Sequence, residues 1–271
     1  MPIAAAIQMT SSHVVEDNLA TAARLIEQAA SQNAVFCVLP ENFALMGQDE
    51  YTKVELREPD SQGPLQDFLA QQAAKHNIWV AGGTLPLIAE HPKKIRAACL
   101  LYNSQGERIA RYDKMHMFDI DVPDNPAEQY RESNTIEAGQ DIVVADTPIG
   151  KLGMSICYDL RFPELYRAMV RQGVTCFIAP SAFTVRTGLA HWDLLLRARA
   201  VENLCYMLAP GQVGSHTNGR ETFGNSMIVD PWGKVEAHLP KGEGVVCANI
   251  DTIHLQEVRT HFPALSHSVL Q

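Results

Sequence analysis

Apolar positions along the chain switch repeatedly between two periods, short runs rich in β-branched residues and longer stretches spaced at three and four. That alternation predicts a mixed α/β architecture. Pro2 to Met9 reads as a strand, after which Asn18 to Ala30 puts Leu19, Ala22, Ala23, Ile26, Ala29 and Ala30 on one helical face. Val35 to Leu39 is the next strand. Pro64 to His76 is a helix turned inward through Leu65, Phe68, Leu69 and Ala73, and Ile78 to Thr84 is a strand apolar enough to be buried on both faces. AACLLYN and RIARYDK flank the Gly-containing turn Ser104 to Glu107 and predict a hairpin. DIVVADT and KLGMSIC repeat that arrangement around Pro148, Ile149 and Gly150, and bring Cys157 to a strand end. Pro163 to Gln172 is a helix opened by proline and closed by Gly173. CFIAPSAF, a helix over Leu189 to Asn203 and NLCYMLAPGQ continue the alternation. The last third reads as three strands, NSMIVD, VEAHL and VVCANI, with Pro231, Gly233 and Gly242 in the turns; the pattern past Asp251 is ambiguous. No linker, shift of composition or internal repeat interrupts the chain, so a single domain over 1–271 is expected.

Charge narrows the partners. Twenty-two basic against 31 acidic residues give a formal net charge of −9, a field that repels nucleic acid and anionic membranes. A small anionic substrate would need a locally basic pocket, which makes individual Arg and Lys residues worth following. The six cysteines form no CxxC pair, which disfavours a zinc ribbon or redox couple. Five of them, Cys37, Cys99, Cys176, Cys205 and Cys247, lie in or beside apolar stretches, where a thiol behaves as a small hydrophobe. The opening MPIAAAIQMTSS has no basic leader, and no apolar run reaches the roughly 18 residues of a membrane span. A reducing cytoplasm is the expected location.

Cys157 differs from the other five. The apolar run KLGMSI ends on it and the polar segment Tyr158 to Glu164 follows at once, as at a strand-to-helix elbow that exposes a nucleophile and aims the Tyr158 N–H at the reacting atom. A thiol needs a positive neighbour or a base to activate it. Two charged residues end strands in a comparable way, Glu41 after VFCVLP and Lys114 after RIARYD; either is equally readable as a surface charge at a strand terminus. The ten histidines form no HxxxH pair, so a zinc hydrolase is not indicated. His191 and Trp192 belong to AHWDLLLRARAVEN, in which Trp192, Leu195 and Leu196 share a packing face.

LPENF around Glu41, YDKMHMFDIDVP around Lys114 and MSICYDLRFPELYR around Cys157 resemble, in the same order, the three signature blocks of the nitrilase superfamily of carbon–nitrogen hydrolases. GKLGMSICYD, PSAFT, AHWDLLLRARAVEN and DPWGKV extend the likeness over nearly the whole chain. The resemblance implies a four-layer α-β-β-α sandwich that pairs into an α-β-β-α-α-β-β-α homodimer. It also implies a Cys157 nucleophile, a Glu41 base, a Lys114 that stabilises the oxyanion, and no metal or organic cofactor. Glu132 in YRESNTIEAG matches the family's second glutamate, with Glu128 as the competing choice. Substrate-side candidates are Tyr158 through its N–H, Arg161, Phe183 and Thr187. Arg161 is open to two readings, a bidentate grip on a substrate carboxylate or an ion pair with Asp159 or Glu164; Phe183 is open to another, plain core filler.

Within the superfamily the likeness is to the amidase branch acting on deaminated glutathione, with the ω-amidases of 2-oxoglutaramate as near relatives. Amidases of N-carbamoyl amino acids or aliphatic amides stand further off. Asn225 in FGNSMIVDPWG departs from the His common in that branch and bears on fine specificity. Two other classes compete: a Cys-His protease, which needs a histidine directed at Cys157, and a catalytically silent binding protein, which has no need to keep Glu41, Lys114 and Cys157 together.

Overall fold

The computed structural model describes residues 1–49, 51–121 and 129–269. Strand Ile3–Gln8 alternates its side chains, and the two faces meet different partners. Ala4 and Ala6 join a core with Phe36, Val38 and Leu101, whereas Ala5 and Ile7 join another with Cys37, Val80 and Leu100. The second set packs under helices Val15–Ser31 and Pro64–His76 through Ala22, Leu25, Ile26, Leu65, Leu69 and Ala73. The first set faces a second sheet, whose Leu152, Met154, Phe177 and Met207 share its core with Tyr166 and Met169 of helix Pro163–Arg171 and Trp192 and Leu196 of helix Val185–Asn203. Helix, sheet, sheet, helix is thus the layer order, as the resemblance implies.

The first sheet runs Gly244–Asn249, Ile3–Gln8, Ala34–Val38, Trp79–Ala81, Ile95–Tyr102, with Leu85–Ile88 and Arg108–Asp113 also paired to the long strand. The second runs Val235–Leu239, Ser226–Val229, Tyr206–Ala209, Cys176–Ile178, Gly150–Met154, Val144–Thr147. At the heart of each, three strands are parallel. Their carboxyl ends carry the connections that hold Glu41 in one sheet and Cys157 in the other, the usual position of a ligand site in parallel sheets.

Several local expectations need adjusting. The strand predicted over Ile78 to Thr84 is only Trp79–Ala81. Gly83 turns the chain out of the sheet at φ 53, with a Cβ there meeting the Pro40 carbonyl oxygen at 2.0 Å, and a further strand, Leu85–Ile88, follows. The first helix buries Leu25 and Asn18 rather than Leu19. The Asn18 side chain accepts from Ser12 N and donates to the Ala44 carbonyl, so a polar residue on the inner face is satisfied. The ambiguous C-terminal stretch is a helix, Thr252–His261, capped by Asp251, whose carboxylate accepts from the N–H groups of Ile253 and His254. A small hairpin, Val213–Ser215 with Glu221–Phe223, was not foreseen. Among the described residues no helix is long and apolar enough to cross a membrane.

Candidate active site

Glu41 leaves the first sheet three residues past strand Ala34–Val38. Its position is held from both sides: Gln212 Nε2 donates to its carbonyl at 3.0 Å, and Asn42, at φ 59, gives its N–H to Thr84 Oγ1 at 2.8 Å. Lys114 follows strand Arg108–Asp113 and is pinned by its own backbone, N–H to the Ala97 carbonyl at 3.0 Å and C=O to Gly139 N–H at 2.8 Å. Gly139 is needed there, because a Cβ would meet the Asp113 carbonyl oxygen at 2.2 Å. Glu132 opens a short 3-10 turn after strand Gln129–Arg131. The competing Glu128 lies outside the described residues.

These three side chains converge. Lys114 Nζ donates to Glu41 Oε1 at 2.9 Å and to both oxygens of Glu132 at 3.0 and 2.7 Å; the Phe118 N–H adds a bond to Glu132 Oε2 at 2.8 Å. The ammonium is fully buried and Glu41 is 4% exposed. Burial alone would push the Glu41 carboxyl up, but the charge and hydrogen bond of Lys114, helped by a hydrogen bond with Cys157, hold it below the ordinary carboxylate range. Burial would likewise strip Lys114 of its proton; Glu132 and Glu41 outweigh it and hold the lysine well above its usual value. Glu41 and Lys114 are thus held in their charged forms, with Glu132 bonded to the same ammonium to complete the array.

Cys157 does not end the strand as expected. The strand stops at Met154, Ser155 N–H crosses to the Ile178 carbonyl, and Cys157 sits at φ 47 at the start of a 3-10 turn, Cys157–Arg161, with its N–H on the Pro180 carbonyl at 3.0 Å. A left-handed conformation in a non-glycine residue costs about 1–3 kcal/mol and concentrates at functional positions. Asp159 holds the turn in place. Fully buried, its carboxylate accepts from Tyr112 Oη at 2.7 Å, Ile156 N at 2.8 Å, His116 N at 3.0 Å and His116 Nδ1 at 2.7 Å. Burial and then the neighbouring Glu41 charge push the Cys157 thiol far above its ordinary value against the pull of Lys114, so the resting sulfur is protonated and its hydrogen bond runs to Glu41. Each of the other five cysteines is a free thiol, and all but the partly buried Cys247 are buried.

Beyond the sulfur, Phe118, Tyr158, Arg161, Ala182, Phe183 and Thr187 line a cleft. Asp159 is fully engaged elsewhere, and Arg161 forms no ion pair with it or with Glu164; it bonds His191 Nδ1 at 3.2 Å and stacks 5.6 Å from the rings of Tyr158 and Phe183. Phe183 meets both its readings, packing edge-on to Trp192 at 4.9 Å while facing the cleft. Thr187 lends its N–H and hydroxyl to the cap made by Thr184. Asn225 stands apart: its carbonyl takes the Trp192 indole N–H, and its side chain bonds His238 and the Phe223 carbonyl. The departure at that position therefore lies in the support behind the cleft.

Three residues near the array were missed by sequence reasoning, Asp159, Lys53 and Arg220. Asp159 was weighed only as an ion-pair partner. Lys53 lies in a charged run and Arg220 in a turn, and nothing in one sequence joins two loops 167 positions apart. Both line the space beside Glu132.

The carbon–nitrogen hydrolase family model matches residues 3–260. The chain belongs to the carbon–nitrogen hydrolase family. A deaminated glutathione amidase from Yersinia enterocolitica is 42% identical over 265 residues, covering 97% of this chain and 92% of that one. Among solved structures, Saccharomyces cerevisiae Nit3, a member of branch 10 of the nitrilase superfamily, superposes with TM-score 0.86 at 32% identity over 97% of this chain and 94% of its own. The Caenorhabditis elegans NitFhit protein superposes with TM-score 0.92 at 37% identity; the match covers 99% of this chain and 65% of that longer one. As a carbon–nitrogen hydrolase, the chain hydrolyses bonds of the non-peptide amide kind.

Proposed function

We propose that this carbon–nitrogen hydrolase is a cysteine-dependent amidase that cleaves the amide of deaminated glutathione. The observation that carries the mechanism is the hydrogen-bonded meeting of Glu41, Lys114 and Glu132 beside the Cys157 thiol. Glu41 takes the thiol proton as sulfur adds to the amide carbon, so that charge separation is confined to the moment of attack. The carbonyl oxygen gathers negative charge against Lys114 Nζ and the Tyr158 N–H, donors of a kind typically worth about 3–4 kcal/mol each. The C–N bond breaks as Glu41 returns its proton to the leaving nitrogen. Water then gives a proton to Glu41 and its oxygen to the thioester carbon; the C–S bond breaks and the sulfur is reprotonated. Glu132 keeps Lys114 charged and aimed. Arg161, with no acidic partner among the described residues, takes the carboxylate of the 2-oxo acyl group, and Phe183 and Thr187 shape the pocket around it. No step calls for a metal or cofactor.

The choice of substrate is supported by the near full-length likeness to amidases of that name. Measuring primary amine or ammonia release from deaminated glutathione, 2-oxoglutaramate, aliphatic amides, N-carbamoyl amino acids and a nitrile side by side tests it. Preference for the last three classes would overturn the substrate while leaving the thiol chemistry in place. We further propose one domain over 1–271, a cytoplasmic location in keeping with the free thiols, and a homodimer. Leu189 and Leu194 of helix Val185–Asn203, 73% and 66% exposed, favour pairing through the helical layer. Light scattering on wild type and Leu194→Glu reads the last point directly.

A further inference from the structure

The cleft that holds Cys157 continues, across Glu132 and Arg220, into a groove of about 440 Å³ lined also by Met46, Asp49, Lys53, Tyr130 and Asn218. Besides residues 129–136, two loops build it, the segment before and within the short helix Thr52–Glu55 and the turn of the hairpin Val213–Ser215 with Glu221–Phe223. Asn218 Nδ2 ties them together on the Gly47 carbonyl at 2.7 Å. Lys53 lies with Glu41 and Glu132 in the adjoining pocket and not in the cleft of Arg161, Phe183 and Thr187, whereas Glu132 and Arg220 stand where cleft and groove meet and line both.

Reaction geometry decides which half of an amide goes where. Glu41 has to hand its proton to the leaving nitrogen, so the amine half points toward Glu41 and the acyl half toward Arg161. Any substituent on the nitrogen then runs into the groove. Two cations wait there with donors to spare. Lys53 is half-buried and, among the described residues, its ammonium has no hydrogen bond or ion pair. Burial lowers its pKa, as do Arg220 and Lys114, against the pull of Glu41 and Glu132. Arg220 spends one Nη on the Ala182 carbonyl and lays its guanidinium 5.3 Å from the Tyr130 ring, while its buried Nε finds no partner among the described residues. Of the two carboxylates that line the groove, only Glu132 is paired with a cation among the described residues, Lys114. Asp49 accepts from the N–H groups of Tyr51 and Thr52 and from Thr52 Oγ1, and these contacts fall on its Oδ1.

We propose that Lys53 and Arg220 form a second anionic subsite, one that binds a carboxylate on the amine half of the substrate and so selects amides whose leaving group is a short peptide acid. This rests on the amidase reading above and deepens it: the acyl carboxylate belongs to Arg161, the leaving-group carboxylate to Lys53 and Arg220. A protein of net charge −9 thereby takes a substrate anionic at both ends by local cations, Arg161 in the cleft and Lys53 in the groove, with Arg220 where the two meet.

The test compares three substrates that share the 4-carboxy-4-oxobutanoyl group: the primary amide, the cysteinylglycine amide with a free carboxylate, and the same compound capped as a carboxamide. Wild type should favour the free carboxylate over its capped form in kcat/KM by about tenfold or more, chiefly through KM, the discrimination expected of one charged contact. Lys53→Met should collapse that ratio toward one, and Lys53→Arg should restore part of it. A wild type indifferent to the cap, or a ratio unchanged in Lys53→Met, overturns the subsite even if all three compounds are hydrolysed. If wild type hydrolyses none of the three, the substrate reading has failed. The subsite is then judged by inhibition of simple amide hydrolysis by cysteinylglycine: inhibition lost in Lys53→Met upholds it, and equal or no inhibition in the two proteins overturns it.

Discussion

Replacing Lys114 by alanine removes one ammonium and three hydrogen bonds of 2.9, 3.0 and 2.7 Å, and leaves Glu41 facing Glu132 across the space. Two carboxylates so placed do not both stay ionised when one is 4% exposed. Glu41, deeper than Glu132, takes a proton. The cost at pH 7 is bounded by that of protonating a carboxylate of ordinary pKa near 4.3, about 4 kcal/mol. The sign follows from linkage. In the wild type Glu41 is depressed, so its contribution is present above the unfolded pKa and is lost as pH falls through the folded one. In Lys114→Ala the folded pKa is raised instead; the folded state binds the extra proton, and stability relative to wild type recovers by about 1.4 kcal/mol per unit as pH drops from 7 toward 5. Activity suffers doubly, through loss of the oxyanion donor, typically 10²–10³ in kcat, and through a base protonated at neutral pH. Urea unfolding at pH 7 and 5.5, with amine-release kinetics over the same range, reads both. A folded Lys114→Ala enzyme with wild-type kcat, or a stability deficit that does not change with pH, refutes the reasoning.

Other outcomes follow from the same geometry. Cys157→Ser abolishes turnover at unchanged Tm, because a carboxylate cannot activate an alcohol as it does a thiol, whereas Cys176→Ala, buried in the core, loses some Tm and keeps kcat; near-normal turnover in the serine variant rules out the nucleophile. Asp159→Asn, which replaces two of four accepting contacts by a donor, lowers stability by about 2–3 kcal/mol and kcat with it, and a variant as stable and active as wild type shows the turn needs no such support. Because the thiol is protonated at rest and Glu41 is ionised well below neutrality, kcat/KM is flat from about pH 6 to 9; a rise centred near pH 8.5 would indicate a free thiol titrating unaided. Arg161→Met raises KM for the 2-oxo acid amide over a neutral amide by the roughly 1.5–3 kcal/mol of a charged hydrogen bond, and equal losses on both return Arg161 to a structural part.

The layer order and most elements were legible because their signals are local. Period-two alternation separates Ala4 and Ala6 from Ala5 and Ile7, and proline and glycine mark the ends of the helix after Cys157. What escaped depends on through-space packing. Gly83 cuts a predicted strand short because the Pro40 carbonyl lies against it, and no pattern within residues 78–84 reports Pro40. The candidate array was found through three separated motifs, each of which alone reads as a charged strand end. Lys53, Arg220 and Asp159 belong to no periodic pattern, and their parts depend on what the fold sets opposite them: open groove for the first two, and four donors for Asp159.

The array also explains why a buried thiol needs two glutamates and one lysine, where a cysteine–histidine pair uses a single neutral base. A lone lysine beside Cys157 would draw the thiol toward thiolate and leave a reactive sulfur at rest. Two carboxylates turn the local balance negative, so burial and repulsion from Glu41 hold the proton on sulfur until a substrate carbonyl arrives. At attack the negative charge moves from Glu41 to the carbonyl oxygen and stays within reach of the same ammonium. Lys114 thus changes partner without leaving its place, which is the low-reorganisation stabilisation that a dry site can supply and water cannot. Glu132 is what permits this exchange: bonded to Lys114 through both oxygens, it keeps the lysine fixed and charged while Glu41 carries the proton. Glu132→Gln should therefore lower kcat more than it raises KM, with an acidic limb in kcat/KM moved downward as Lys114 turns its full charge on Glu41. An unchanged acidic limb would assign Glu132 to substrate contact instead.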